Sequence, residues 1–319
     1  MSNKRVFYAT QAVLLGDAGA TLGASDVLKG VQSVGVDTIL SQRNIKDLGK
    51  PTPITILEDK PQVDATIERY ITSSSDIIFP SSGGNLLDDA VHAKEYDMLL
   101  LVGEDARDQV DTSGASTQAE LKLSYMQVGD VSYTFSVDNP VMETISFIGH
   151  HKQWSTTRTF SSTGQLGFTH SGSLPKRTEY NTSSSVMPTE VQGTIQNIDI
   201  SVSFGRREVM DLGKRQGVSS ISETNRYKLL ELPLLCDTTI STIVKDKDFN
   251  GDITAQSFSN TPQSRQIKIV LTWRDGSNVT FDLGSENYLI NAERRNNDTD
   301  GGNVEAVYTF ENHNTFSIS

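Results

Sequence analysis

Few residues of this chain have the types and spacing that metal binding or catalysis requires. His150 and His151 are adjacent, but no cysteine or second histidine pair lies near them at the spacing of a zinc site. Asp246 and Asp248 open a segment that begins like a calcium loop, yet Ser257 stands where such a loop carries its bidentate glutamate. We therefore expect no metal site and no cofactor.

The single cysteine and the missing catalytic motifs argue against an enzyme. Cys236 ends the apolar run 232–236, which is typical of a small core residue. The sequence contains no nucleophile elbow and no HExxH motif. Its 40 acidic residues include no pair whose context suggests acid–base catalysis. These features favour a structural or binding protein.

Composition and charge narrow the class further. The chain has 319 residues, of which 36% are hydrophobic, and its net charge is −12. No basic patch is visible, so we expect no specific binding to nucleic acid. No apolar run approaches the roughly 20 residues of a membrane helix, and residues 1–13 lack the apolar core of a signal peptide. The sequence predicts a soluble protein that is made in the cytoplasm and does not contact membranes.

The elements that organise the chain are given by an internal repeat. Residues 31–50 read VQSVGVDTILSQRNIKDLGK, and residues 195–214 read IQNIDISVSFGRREVMDLGK, at an offset of 195 − 31 = 164. Two shorter matches keep the same order: residues 64–67 with 237–240, and residues 133–135 with 308–310. Loop insertions in a duplicated domain would produce such slowly rising offsets.

Both long copies alternate between apolar and polar residues, as a half-buried strand does. The apolar parity comprises Val34, Val36 and Leu40 in the first copy and Ile198, Ile200, Val202 and Phe204 in the second. The other parity is polar in both. Each copy is therefore predicted to be one long strand with a wet face and a dry face, which ends in a Leu-Gly turn.

The repeat sets the predicted fold class, which is mainly β with little helix. We expect two duplicated β-sandwich or barrel domains at residues 1–150 and 189–319, joined by a connection at residues 151–188. That connection is too long for an ordinary loop, so it should lie along a neighbouring subunit. The segment Asn85–Lys94 is the best helix candidate because Asn85 can cap an apolar stripe.

The paired segments carry a resemblance to a known family. Together with the stretches DGSNVTFDLG at 275–284 and DGGNVEAVYTFENHNTFSIS at 300–319, they resemble the tail tube proteins of tailed bacteriophages, in particular those with a duplicated tube domain. The resemblance implies a structural virion protein whose strands join those of neighbouring subunits into closed rings. Stacked rings would form the channel through which the genome and the tape-measure protein pass.

Further expectations follow from this resemblance. Six domains per ring imply three chains in a trimeric, pseudo-hexameric ring, and the other partners would be further tail proteins such as a baseplate, and a sheath if the tail contracts. DNA would pass in transit without specific binding. The wet parity of the repeated strand would line the lumen: Ser33, Asp37, Asn197, Asp199, Ser201 and Ser203.

A different class remains as the alternative. A two-domain β-sandwich that binds carbohydrate, or an adhesion module, would share the strand pattern. Sugar-binding sites usually present aromatic platforms, and this chain has an aromatic content of 7% with Trp154 and Trp273 as its only tryptophans. Assembly into rings or tubes discriminates between the two hypotheses.

Overall fold

The computed structural model confirms a mainly β fold. It describes residues 11–49, 52–58, 61–71, 87, 94–103, 117–137, 139–156, 179–188, 191, 194–208, 227–229, 235–243, 263–273, 276–296, 304–312 and 315–319. Apart from the short 3-10 helix Ala24–Asp26, the regular elements in these ranges are strands.

Twenty strands are present in the described ranges. Those of the first half are β1 Gln11–Asp17, β2 Val31–Ile39, β3 Gln42–Lys46, β4 Pro53–Glu58, β5 Gln62–Tyr70, β6 Glu95–Gly103, β7 Thr117–Ser136, β8 Met142–Gly149 and β9 His151–Ser155. Those of the second half are β10 Glu179–Tyr180, β11 Thr194–Ser203, β12 Arg206–Glu208, β13 Tyr227–Leu229, β14 Leu235–Ile243, β15 Ser264–Arg265, β16 Lys268–Thr272, β17 Asn278–Asp282, β18 Asn287–Asn296, β19 Val304–Asn312 and β20 Ser317–Ile318.

One antiparallel sheet runs through both halves of the chain. Its strands follow the order β2-β5-β8-β7-β11-β14-β19-β18-β15, so the halves meet where β7 pairs with β11. A second layer covers one face of each half. It is formed by β1, β6, residues 117–127 of β7 and β9 in the first half, and by β10, β16, β17 and β20 in the second.

The two halves use their strands in the same spatial order. The run β2-β5-β8-β7 corresponds to β11-β14-β19-β18 in the large sheet, and the second layers match strand for strand. The hairpin β3-β4 corresponds to β12-β13, which follows β11 as β3 follows β2. This arrangement is what the predicted duplication requires.

The pairing registers of the two halves also agree, residue by residue. Ser33 lies opposite Glu68 next to a bulge at Gln32, and the counterparts Asn197 and Ser241 lie opposite each other next to a bulge at Gln196. A second bulge interrupts the pairing of β7 with β8 at Gly129, and its counterpart interrupts the pairing of β18 with β19 at Ile290. Because bulges are specific features of a strand pair, their recurrence is a further likeness between the halves, and the duplication itself stays a prediction.

Three expectations need correction. The predicted long strand ends at Ile39, and a second strand, β3, turns into an exposed hairpin with β4. Val34 and Val36 were expected to be buried but are half-buried, because β2 is the last strand of the sheet and pairs only with β5 in the described part of the chain. The match of residues 133–135 with 308–310 joins β7 to β19, although the strand order and registers make β8 the counterpart of β19.

Other expectations fall partly outside the described residues. The helix candidate is described only at Leu87, which lies in a turn, and at Lys94. Within the predicted connection 151–188, the structure places β9 and β10 in the two second layers. Residues 157–178 lie outside the described residues, so the contact of the connection with a neighbouring subunit stays a prediction.

The core lies between the large sheet and the second layers. In the second half, the ring of Phe281 on β17 packs edge-on against Tyr133 at 5.2 Å and Phe135 at 4.8 Å. In the first half, Tyr96 on β6 packs edge-on against Phe147 on β8 at 5.8 Å. Aromatic pairs of this geometry contribute beyond their buried area, and here they fix the spacing between the layers.

A turn glycine sets the start of β2. Gly30 has a positive φ of 71°, and a Cβ at this position would lie 2.2 Å from the carbonyl oxygen of Tyr70. The close approach allows the Tyr70 amide to donate a hydrogen bond to the Gly30 carbonyl at 2.9 Å. Glycine is therefore needed to align β2 with β5.

Candidate functional site

The face of the large sheet away from the second layers carries mostly polar side chains on seven of its strands, with Ile39, Met142 and Ile148 among the apolar exceptions. Residues that pair directly across neighbouring strands lie on the same face of a sheet. One such row crosses seven strands, and all of its side chains are polar: Ser33, Glu68, Thr144, Ser132, Ser201, Asp237 and Glu311. We call the side of the sheet that carries this row the polar face.

On seven strands the described charges of the polar face have one sign. These strands are β2, β5, β8, β7, β11, β14 and β19, and the residues that share the face are those of the row and every second residue from it as far as any bulge. None of them is a lysine, arginine or histidine, and the acidic ones are Asp37, Asp64, Glu68, Asp130, Asp199, Asp237, Glu305 and Glu311. Over these seven strands the negative charge disfavours contact with polyanions, whereas the eighth strand, β18, places Arg295 opposite Glu305.

All six predicted site residues lie on the polar face, but in two groups. Ser33 and Asp37 lie on the end strand β2, where the Ser33 hydroxyl donates to Glu68 Oε2 at 2.8 Å and Asp37 pairs with Asp64. The other four lie on β11, at the middle of the sheet: Asn197, Asp199, Ser201 and Ser203. Whether this face lines a lumen stays a prediction.

Hydrogen bonds order part of this face. The Asn197 amide donates to the Asp199 carboxylate on the same strand. The Gln62 amide likewise donates to both oxygens of Asp64 at 3.0 and 2.9 Å. Ser201 and Ser203 remain exposed.

Comparison with models of known protein families gives no match, and comparison with curated protein sequences gives none either. The candidate site therefore rests on the geometry of this chain.

Of the residues weighed for metal binding, His150 and His151 are described, whereas Asp246, Asp248 and Ser257 lie outside the described residues. Nδ1 of His150 lies 2.8 Å from the Pro61 carbonyl oxygen, and the pKa of His151 is lowered by burial and by the nearby Lys122. In the ranges that the structure describes, no group of three metal-ligating side chains is present. The predicted core position of Cys236 is confirmed, and burial raises the pKa of its thiol. The described residues also include no helix long and apolar enough to cross a membrane.

The junction between the halves is the second functional feature, and the sequence patterns did not identify it. Seven residue pairs join β7 to β11, from Asp130 with Ser203 to Ser136 with Asn197. Beyond the ladder, the Phe204 amide donates to the Gly129 carbonyl at 2.9 Å, and the Phe204 side chain is only 1% exposed.

Arg206 fixes the end of this junction. Its Nε donates to the Val128 carbonyl, its Nη1 lies 3.3 Å from Gln127 Oε1, and its guanidinium lies 5.7 Å from the centre of the Phe204 ring. Burial lowers the pKa of Arg206 to about 10, and Glu95 partly opposes this shift. A half-buried arginine that bonds to two residues of the other half indicates a specific interface between the halves.

Sequence reasoning also missed most of the polar face. Glu68, Thr144, Asp130 and Glu311 belong to it, and each lies on a strand that alternates between buried and more exposed residues. The alternation of apolar and polar residues along these strands showed that each has one polar face. It could not show which strands pair, and therefore which polar residues share a face.

Proposed function

We propose that this chain is a structural virion protein, the subunit of a bacteriophage tail tube, which polymerises into stacked rings around a channel for genome ejection. The observation that carries the proposal is the joining of two like strand sets, side by side, into one sheet whose uncovered face is acidic over seven strands. A sheet that grows by adding the same unit, with one polar face and one covered face, suits the wall of a water-filled channel.

The size of a closed ring can be worked out from the strands. Each chain contributes the eight strands from β2 to β18 to the large sheet, so a ring of three chains contains 3 × 8 = 24 strands. At about 4.8 Å per strand and a tilt of about 40°, such a ring has a backbone diameter of about 50 Å. Barrels of about 16 strands already enclose water, so this ring leaves a wide channel.

The charge of the polar face supports passage of DNA in transit without specific binding. Like charges across a water-filled gap repel, and screening at physiological ionic strength limits the repulsion to about 8 Å. DNA would therefore be kept off the wall over a short distance. The tape-measure protein and the further tail proteins are proposed partners on the strength of the family resemblance alone.

The alternative of a carbohydrate-binding or adhesion module rests on one residue. Trp154 on β9 is 57% exposed and could stack on a sugar ring, whereas Trp273 is buried in the core. A single exposed tryptophan is a weak platform for sugar recognition. The tube proposal uses more of the molecule, since it accounts for the polar face as well as for the strand order.

Negative-stain electron microscopy of the purified protein tests the proposal. We expect rings or hollow tubes that form above a threshold concentration. Glycan-array binding by a protein that stays monomeric at every concentration would favour the alternative. As a control for aggregation, assembly should be reversible on dilution, because ring contacts follow mass action.

A further inference from the structure

We infer that the β18 edge of one chain pairs with the β2 edge of a second copy, in the register that β7 and β11 use inside the chain. This inference rests on the proposed function, because it specifies the contact that would close the ring. The basis is the internal junction. There β7, the last large-sheet strand of the first half, pairs with β11, the first large-sheet strand of the second half.

The two ends of the sheet are the counterparts of the internal junction. β2 corresponds to β11, and β18 corresponds to residues 128–136 of β7. In the described part of the chain, β2 pairs only with β5, and β15 covers only Asn287 and Tyr288 at the start of β18. Each end therefore offers a strand edge to which another strand can add.

An exposed apolar side chain lies at the β2 end, where the internal junction has the hydrogen bond from the Phe204 amide to the Gly129 carbonyl. The counterpart of Phe204 is Leu40, at 204 − 164 = 40, and it is 68% exposed although Phe204 is buried. Pairing the two ends in the internal register places Leu40 on the core side of the sheet, where Phe204 lies, and removes its side chain from water. Ile290, the counterpart of Gly129, belongs to the polar face, because a Cβ at Gly129 would meet Ser146 and Ile148 there.

The internal pairs give the register between chains. Ser203 with Asp130 translates into Ile39 with Asn291, and Val202 with Val131 translates into Thr38 with Ala292. Ser201 with Ser132 then translates into Asp37 with Glu293. A contact between two different edges is head-to-tail, so it generates a ring when the rotation closes.

One pair in this register brings two carboxylate residues opposite each other. Asp37 and Glu293 take the place that two serines have in the internal junction. The same register places Arg295 opposite Gly35, two residues along from this pair, so acidic and basic positions both lie at this contact.

Cysteine cross-linking tests the register. Under mild oxidation of assembled protein, D37C/E293C should give covalent dimers and trimers, because directly paired residues lie within disulfide reach. S132C/S201C is the matched internal control, which should close within one chain. D37C/A292C is the slipped control, since a shift by one residue moves a side chain to the other face. Blocking Cys236 with a thiol reagent during denaturation prevents later exchange.

A mixing experiment tests the head-to-tail arrangement independently. L40D and A292D should each raise the concentration for half-assembly by about tenfold or more, because the register places both residues on the core side of the sheet, where their counterparts Phe204 and Val131 are buried. Mixing the two variants should yield dimers but no rings. In such a dimer, the intact β18 edge of L40D meets the intact β2 edge of A292D, and both remaining edges are blocked.

The outcomes separate this inference from the proposed function. Tubes that form without a D37C/E293C cross-link, although S132C/S201C closes, overturn the register and leave the tube proposal standing. If L40D assembles at the same protein concentration as the wild type, the inference is overturned in the same way. A wild-type protein that stays monomeric at all concentrations overturns both.

Discussion

The buried ion pair of the first half allows a quantitative test of the packing between strands. Glu143 on β8 faces the core with 0% exposure and accepts a hydrogen bond at 2.5 Å from Nε of Arg69, which is 1% exposed. The Tyr133 hydroxyl donates to the other carboxylate oxygen at 3.1 Å, and burial together with Glu143 raises the pKa of this phenol well above its usual range. Removing one partner leaves the other charge buried without its counter-charge.

We expect Glu143→Leu and Arg69→Met each to lower the free energy of unfolding by about 3–5 kcal/mol. The double variant R69M/E143L should recover most of this loss, because apolar residues of similar volume often replace a buried ion pair without loss. About 1–3 kcal/mol should remain, because the buried Tyr133 hydroxyl loses its acceptor. The second half supports this expectation, since the counterpart pair of Arg69 and Glu143 is Thr242 with Ala306.

The assay is equilibrium urea unfolding, followed by the fluorescence of the buried Trp273 at low protein concentration. Each single variant also serves as the control for the other. The double-mutant cycle formed by the wild type, the two single variants and the double variant isolates the coupling energy between Arg69 and Glu143. Single variants that lose less than about 1 kcal/mol would refute the closed ion pair. A double variant as unstable as the sum of the singles would refute the coupling.

Three further predictions concern the surface and the titrating groups. Replacing Asp37 and Asp199 with lysine should leave tubes intact and slow genome delivery, and unchanged infectivity would exclude an electrostatic role for these two positions. Because burial and Lys122 lower the pKa of His151, the unfolded chain binds this proton more readily, so the free energy of unfolding should fall as the pH falls below about 6.5. His151→Gln should reduce that slope, and an identical slope would contradict the assignment. Cys236 should resist thiol reagents in the folded protein and react fully in denaturant, whereas rapid labelling of the folded protein would place it outside the core.

Much of the fold could be predicted because it depends on local patterns. Alternation identified the strand around Ile200, and the repeat at residues 31–50 and 195–214 located the equivalent strands β2 and β11. These signals are short-range, so they survive without knowledge of the tertiary structure.

The features that could not be predicted depend on which strands become neighbours. Val34 and Ile198 occupy the same place in the repeat, yet only Ile198 is buried, because β11 has a partner strand on each side. The match of Tyr133 with Tyr308 failed because two strands can share a tripeptide and differ in their place in the sheet. Leu40 similarly could not be identified as an edge residue until its counterpart Phe204 was seen in the internal junction.

The most direct test of the central claim is a cryo-electron microscopy reconstruction of assembled tubes computed without imposed symmetry. We expect rings of three chains with approximate six-fold appearance, a continuous inner wall of 24 strands from 3 × 8, and the β18 edge of each chain beside the β2 edge of the next. The acidic polar face should line the channel. Six equivalent chains around one ring, or Asp37 and Asp199 on the outer wall, would contradict it.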